Sequence, residues 1–444
     1  MQKRMPAIDM QTTVRGIAQR ARSDRKARFR DLYRLLNEEN LSGCFYQLRR
    51  SAAPGVDRVT FEEYEQNLDA NVADLVERLK EKQYRAKLVR RKYIPKGNGK
   101  FRPLGIPALE DKLLQMAAAQ VLTAIYEGDF LECSWGYRPK RGPREASRVL
   151  ANQLYRGSVG WVVEADIRGF FDNISHEWMM RMLAERVADR AFLRLIGKWL
   201  KAGILEEDGK VVHPATGTPQ GGIISPILAN IYLHYVLDLW VEHRVRKENQ
   251  GGMVMMRFAD DFICAFQYRS DAKRFETQLS GRLGKFGLAV AAEKTRLLQF
   301  SRWAPEPNEG FEFLGFEFRW VRRRTTGKMG VRRRTAPKRL QASVRAFSQW
   351  LKENYSKRLS ILMKEVCRKL EGYWNYYGVQ GNSDNLFRFY FQCRKLLFKW
   401  LNRRSQKRSY TWEGFAQMLE IFGVPTPCIV ESSSQANTGS GGSV

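Results

Sequence analysis

Apolar positions along residues 90–320 fall into two alternating rhythms. "LVRRKYIPK" and "WVVEADI" read as short strands, and "FEFLGFEFRW" alternates as a strand does. "EDKLLQMAAAQVLTAIYE" is amphipathic at helical spacing. "SPILANIYLHYVLDLWVEHRV" predicts one long helix opened by Ser-Pro, with proline suited to the first turn. "MVMMRFADDFICAF" consists of two apolar runs around Ala-Asp-Asp, the pattern of a β-hairpin with its acids at the tip. After Pro337 a helical period appears at Leu340, Val344, Phe347 and Leu351, and 385–401 is helical with basic residues among aromatics. Upstream, 1–40 is charged and partly helical, and "APGVDRVT" carries a Pro-Gly turn. "TFEEYEQNLDANVADLVERLKEKQY" then predicts a helix, with Thr60 as N-cap and Glu63 completing a capping box. "SSSQANTGSGGSV" closes the chain as a Ser/Gly-rich tail expected to be disordered. The fold class is α+β.

Charge sharpens this picture. The 444 residues carry a formal net charge of +29, which calls for an anionic polymer or surface as partner. The surplus is concentrated: between residues 319 and 408, 25 Lys or Arg stand against four acids. A domain change is therefore expected near 320–335, where "VRRRTTGKMGVRRRTAPKRL" reads as an exposed hairpin or loop between two basic triplets. Six scattered cysteines with no C-x-x-C pair exclude a zinc ribbon or a disulfide scaffold and fit a reducing cytosol. No apolar run reaches the length of a membrane span and no signal peptide is seen, so the expectation is a cytoplasmic protein with no membrane partner.

Asp260 and Asp261 raise the question of chemistry. Two aspartates at a hairpin tip are also ordinary turn residues. A second acid changes the balance: "WVVEADIRGFFDNI" ends an apolar strand on Asp166. Carboxylates brought together by neighbouring strands repel one another unless they hold divalent cations, and Mg²⁺ prefers such oxygen ligands. Two ions there clamp the attacking and leaving oxygens of an in-line phosphoryl displacement. In a strongly basic chain this points to a polynucleotide polymerase or nuclease.

Several segments, in order across about residues 50–420, resemble bacterial group II intron-encoded reverse transcriptase/maturases. They are "KYIPKGNGKFRPLGIPALEDKLLQ", "EADIRGFFDNI", "TGTPQGGIISPILANIYL", "RFADDFICAF", "GLAVAAEKTRLLQF", "FEFLGFEF" and "LEGYWNYYG". The resemblance implies a right-hand polymerase: an RNA-binding N-terminal extension (1–80), fingers and palm (81–325), a helical thumb or maturase domain (326–420) and a tail (421–444). It implies RNA-templated DNA synthesis with two Mg²⁺ ions, Mn²⁺ being a possible substitute. Intron RNA, a DNA or RNA primer and deoxynucleoside triphosphates are the implied partners.

Residue by residue, Asp166, Asp260 and Asp261 match the catalytic, metal-holding triad, assisted by the Ile167 carbonyl. Lys96 and Arg102 match the cations that grip the triphosphate, and a Gly-rich turn between Lys and Arg is by itself a sensible phosphate clamp. Phe171 matches an aromatic gate against the 2′-hydroxyl, Gln220 the residue facing nucleotide and primer end, and Lys294 a lysine that donates a proton to pyrophosphate. Each also has a plain reading, as a basic surface hairpin, a core ring, a turn residue or a solvated lysine. Arg403, Arg404, Lys407 and Arg408 crowd a helix end and are the RNA-facing candidates. Most aromatics of "GYWNYYG" and "LFRFYF" are expected in the core, although they could stack on bases.

Two departures stand out. Phe258 replaces the family's usual tyrosine before Ala-Asp-Asp. The four histidines all precede residue 250 and only Cys428 lies near the end, so no endonuclease module is expected. Rival readings are a mainly non-catalytic RNA-folding cofactor, a domesticated enzyme of phage defence or DNA repair, and a metal-dependent nuclease.

Overall fold

The computed structural model describes residues 10–97, 100–218, 220–303, 309–323, 326–404 and 409–431. Among them eleven strands follow in chain order: β1 Val89–Gly97, β2 Lys100–Ile106, β3 Trp161–Ala165, β4 Ile204–Leu205, β5 Val211–Val212, β6 Met253–Phe258, β7 Asp261–Phe266, β8 Arg296–Gln299, β9 Phe311–Phe313, β10 Phe316–Arg322 and β11 Met329–Thr335. They form three sheets, ordered β2-β1-β4-β5, β6-β7-β3-β8 and β11-β10-β9. The arrangement is mixed α and β with mainly antiparallel pairing. No helix among the described residues is long and apolar enough to cross a membrane.

The central sheet β6-β7-β3-β8 is buried on both faces, which explains why its strands read as continuous apolar runs. Val163, Phe262, Cys264 and Phe266 face a large core shared with helices Leu109–Tyr126 and Arg269–Gly284. Val162, Ile263, Ala265 and Leu298 face a second core. There Phe311, Phe316, Phe318 and Trp320 of the third sheet meet helix Pro143–Arg156.

Several elements differ from the sequence reading. The helix expected from Thr60 is two helices, Phe61–Glu65 and Leu68–Lys80, although the capping box forms as read: Glu63 N donates to the Thr60 hydroxyl and Thr60 N to Glu63 Oε2 at 2.8 Å. The long helix from Ser225 is continuous α-helix to Leu233. It then widens into π turns at His234–Asp238 and Val241–Val245. The expected division at 325/326 falls inside the β10–β11 hairpin, whose register runs from Phe316 with Thr335 to Arg322 with Met329. The helical C-terminal region begins only at Pro337, where a third core forms around Leu351, Leu370, Trp374, Phe389 and Leu401.

The tail also begins later than expected. Residues 422–431 dock on this helical core. Trp374 Nε1 donates to the Pro425 carbonyl (3.3 Å), and Val430 N to Gly378 O (2.9 Å). Glu431 pairs with Arg333 at 2.7 Å, both side chains being under one tenth exposed. A buried ion pair and backbone bonds hold this stretch. The remainder of the expected tail, from 432, lies outside the described residues.

Candidate active site

Asp166 follows directly on β3, whose last residue, Ala165, pairs with Phe262 of β7. One step further in this antiparallel register, Asp166 stands opposite Asp261, the first residue of β7. Asp260 occupies the two-residue turn before it. The expectation that both acid-bearing strands lie side by side holds, because β3 and β7 are direct neighbours.

The hairpin turn is strained at Ala259, which has φ +57°. A left-handed conformation costs a non-glycine residue about 1–2 kcal/mol, so the surroundings must hold it. Two groups do. Gly136 lies so close that a Cβ there would sit 2.2 Å from Ala259 N and 2.9 Å from the Phe258 carbonyl carbon. From inside, Arg257 Nη1 donates to the Ala259 carbonyl at 2.9 Å.

Electrostatics at the tip follow from crowding. Asp261 reaches solvent but is hemmed in by protein behind. That desolvation, then the charges of Asp260 and Asp166, push its carboxyl up to about 6, with Lys294 and Arg339 pulling it partly back. The Lys294 ammonium pairs with Asp166, and this hydrogen bond raises its pKa above the ordinary lysine value. In this arrangement Lys294 is the counter-ion of Asp166.

The Ile167 carbonyl remains outside the local ladder. Its bridge to Val290 is closed by its neighbours, as Ala291 N donates to Asp166 O and Arg168 N to Ala289 O, both at 2.8 Å. Among the described residues no three His, Cys, Asp or Glu side chains form a ready-made metal cage. The donor set still fits a hard divalent cation. It comprises mutually repelling carboxylates whose crowding favours the protonated form of one of them, beside a backbone carbonyl.

The loops around the acids are built from close approaches. After Gly169 (φ +53°), the turn Phe170–Asp172 presents Phe171, half-buried against its neighbour ring at 5.3 Å. The 216–222 loop grips this turn through Thr218 N to Phe171 O (2.8 Å) and Thr216 Oγ1 to Asp172 O (3.0 Å). The same loop reaches β2 by Gly105 N to Gln220 O, at 2.6 Å. Gln220 is thus strung between the Phe171 turn and the strand that carries Arg102.

Arg102 is exposed, and pairs with Ile94 across β1–β2. It lies within electrostatic reach of the Tyr137 hydroxyl, which also senses Asp260 and Asp261. Lys96 is in β1 at the bulge between Pro95 and Gly97; its side chain lies outside what is described. Of the four RNA-facing candidates, Arg403 is exposed and lies over the Trp400 ring. Arg404 is half-buried and donates to the Lys357 carbonyl. Lys407 and Arg408 lie outside the described residues.

The sequence reading passed over Gly136, Tyr137, Arg257 and Arg339. For Arg257 there was a signal: a guanidinium within "MVMMRF", an otherwise apolar run entering the hairpin. Nothing local marks Gly136, whose neighbour is 123 residues away in the chain.

An antiparallel sheet ending in converging acids, with a basic Gly-rich hairpin linked to it through the 216–222 loop, can bring divalent cations and phosphate groups together. Residues 94–318 match the family described as reverse transcriptase (RNA-dependent DNA polymerase), and the chain belongs to that family. It is a reverse transcriptase whose relatives include group II intron-encoded proteins. It is 31% identical to Protein YkfC of Escherichia coli K12 over 354 residues, covering 71% of this chain and 90% of that protein. It is 30% identical to the group II intron-encoded protein LtrA of Lactococcus lactis subsp. cremoris over 399 residues, covering 72% of this chain and 65% of LtrA. A shorter match, 26% over 130 residues, is to Nuclear intron maturase 4, mitochondrial, of Arabidopsis thaliana.

Proposed function

We propose that this reverse transcriptase copies RNA through a centre formed by Asp166, Asp260 and Asp261, in a right-hand arrangement of fingers (β1–β2), palm (the central sheet) and helical thumb (from Pro337). The observation that carries this reading is the register that sets Asp166 opposite Asp261 at the end of β3 and β7. Divalent cations, Mg²⁺ or Mn²⁺, when bound there with the Ile167 carbonyl, supply activation of the primer hydroxyl and neutralisation of the departing pyrophosphate. The chain's own cations complete the site. Arg102 and Lys96 on the β1–β2 hairpin hold triphosphate oxygens. Lys294 leaves Asp166 as its charge is taken over, which frees the ammonium to meet phosphate. The Phe171 ring lies under the sugar and excludes a 2′-hydroxyl, and Gln220 faces the incoming nucleotide.

Phe171→Val tests the sugar assignment. The ratio of ribonucleotide to deoxynucleotide incorporation is expected to rise by about 10- to 200-fold, the range in which small steric differences act. Competition primer extension reads that ratio independently of protein stability. An unchanged ratio assigns Phe171 to the core alone.

The names of the intron-encoded relatives and the concentration of cations beyond residue 319 favour a second role, as a maturase that grips intron RNA and promotes its splicing. Here Arg403, Lys407 and Arg408 replaced together by alanine are expected to weaken intron binding and to flatten its salt dependence, since each lost phosphate contact removes about one unit of slope. Splicing in dilute Mg²⁺ falls with them and survives Asp260→Ala. A triple variant that binds and splices like the parent overturns this placement of the RNA grip.

A further inference from the structure

We infer that Arg257 is a positioning residue: its buried guanidinium sets the Ala259–Asp260 turn and thereby aims the acid pair. The inference rests on the reading of Asp166, Asp260 and Asp261 as the reaction centre, and adds a residue to which no role is otherwise assigned.

Arg257 is the penultimate residue of β6 and has no exposed surface, nor has the side chain of its partner Asp238. Its donors are spread over a fixed set of acceptors. Nε and Nη2 fork onto the two Asp238 oxygens at 2.7 and 2.6 Å, and Nη2 also reaches Ser134 Oγ at 2.6 Å. Nη1 is divided between Asn230 Oδ1 (3.0 Å) and the Ala259 carbonyl (2.9 Å). Every contact but the last fastens the guanidinium to the scaffold; the last carries that anchorage to the strained turn.

The same cluster grips the turn from its other side. Asn230, which accepts from Arg257, donates to the Gly136 carbonyl at 2.7 Å, and Gly136 is the residue pressed against Ala259 N. Backbone bonds continue the clamp, from Arg257 N to Cys133 O (2.7 Å) and from Trp135 N to Arg257 O (2.8 Å). Asp238 sits in the π turn His234–Asp238, and such widened turns recur at functional sites.

The plain alternative is an ion pair that only fills the core. Replacing a buried pair with apolar residues of similar volume is often neutral for stability, so stability alone gives no reason for five polar contacts around one arginine. A left-handed alanine beside two acids does give one, because strained backbone persists only where its surroundings over-determine it. The cation also lies within electrostatic reach of Asp260 and eases the crowding of charge at the tip.

The full-length protein carries the test, as Arg257→Lys and as the charge-neutral double variant Arg257→Met/Asp238→Leu. Both are expected to bind a template–primer duplex as the parent does. Their kcat for single-nucleotide addition is expected to fall about 10- to 100-fold, the usual loss when a supporting partner of a metal site is removed, with the KM for the nucleotide little changed. Mn²⁺ binding without nucleotide, read by electron paramagnetic resonance, weakens alongside, and the amides of Asp260 and Asp261 exchange hydrogen faster. Lysine restores the charge but not the fork, and so does not rescue. If the double variant does not fold, Arg257→Lys decides by the same readings. A folded variant with the parent's kcat, Mn²⁺ affinity and exchange at the turn overturns the inference. Asp260→Ala in parallel separates the two levels: should it extend primers normally, the reaction centre is misassigned, while exchange at the turn still judges Arg257.

Discussion

Asp166→Asn is expected to reduce primer extension by about a thousandfold or more, while template–primer binding is left within a small factor of the parent. The substitution preserves shape and the strand end but removes a negative charge and an oxygen donor from the point where β3 meets β7. Preorganised electrostatics in a confined site is the costliest feature for an enzyme to lose, and single groups there are worth about 10²–10³ in rate even when neutral. Lys294 also loses its ion-pair partner, which leaves a surplus cation in the cleft. Affinity for nucleic acid, which we assign to the basic C-terminal region, is read separately, by titration in parallel with single-turnover kinetics. A variant that loses both together points to a folding defect; one that loses neither removes Asp166 from the centre.

The second large effect comes from a residue with no chemistry. Gly136→Ala places a methyl group 2.2 Å from a backbone nitrogen of the catalytic hairpin, and backbone atoms there do not yield as a flexible side chain would. The hairpin must move by most of an ångström, and a displacement of about 1 Å at a reacting centre costs about 10²-fold in rate. Overpacking adds about 1–3 kcal/mol of destabilisation. Gly43→Ala is the control. Gly43 lies in helix Glu38–Phe45 with open space where its Cβ would be, and alanine there is neutral or mildly stabilising. Thermal unfolding and extension rates of the two variants are expected to diverge sharply. Equal rates would show that the hairpin tolerates displacement.

Much of this site was legible in the sequence because its parts are local. A strand that leads into Asp166, a hairpin with acids at its tip and, elsewhere, the Thr60 capping box each leave a pattern within about ten residues. What stayed hidden depends on neighbours remote in the chain. Periodicity over five residues does not separate a π turn from an α turn, so Asp238 gave no sign that it faces Arg257. The left-handed Ala259 is imposed by Gly136 and Arg257 rather than by its own preference. Arg404 reads like its exposed neighbour Arg403, and its bond to the Lys357 carbonyl reaches 47 residues back along the chain. Residues 422–431 read as part of the tail because their anchors, Trp374, Gly378 and Arg333, lie between 51 and 98 residues away.

The reading of the acid cluster is tested most directly by primer extension on an RNA template with purified full-length protein, deoxynucleotides and Mg²⁺. Template-length DNA is expected from the parent protein, with none after chelation of the metal and none from Asp260→Ala at equal template–primer occupancy. Undiminished synthesis by a pure preparation of Asp260→Ala would contradict it.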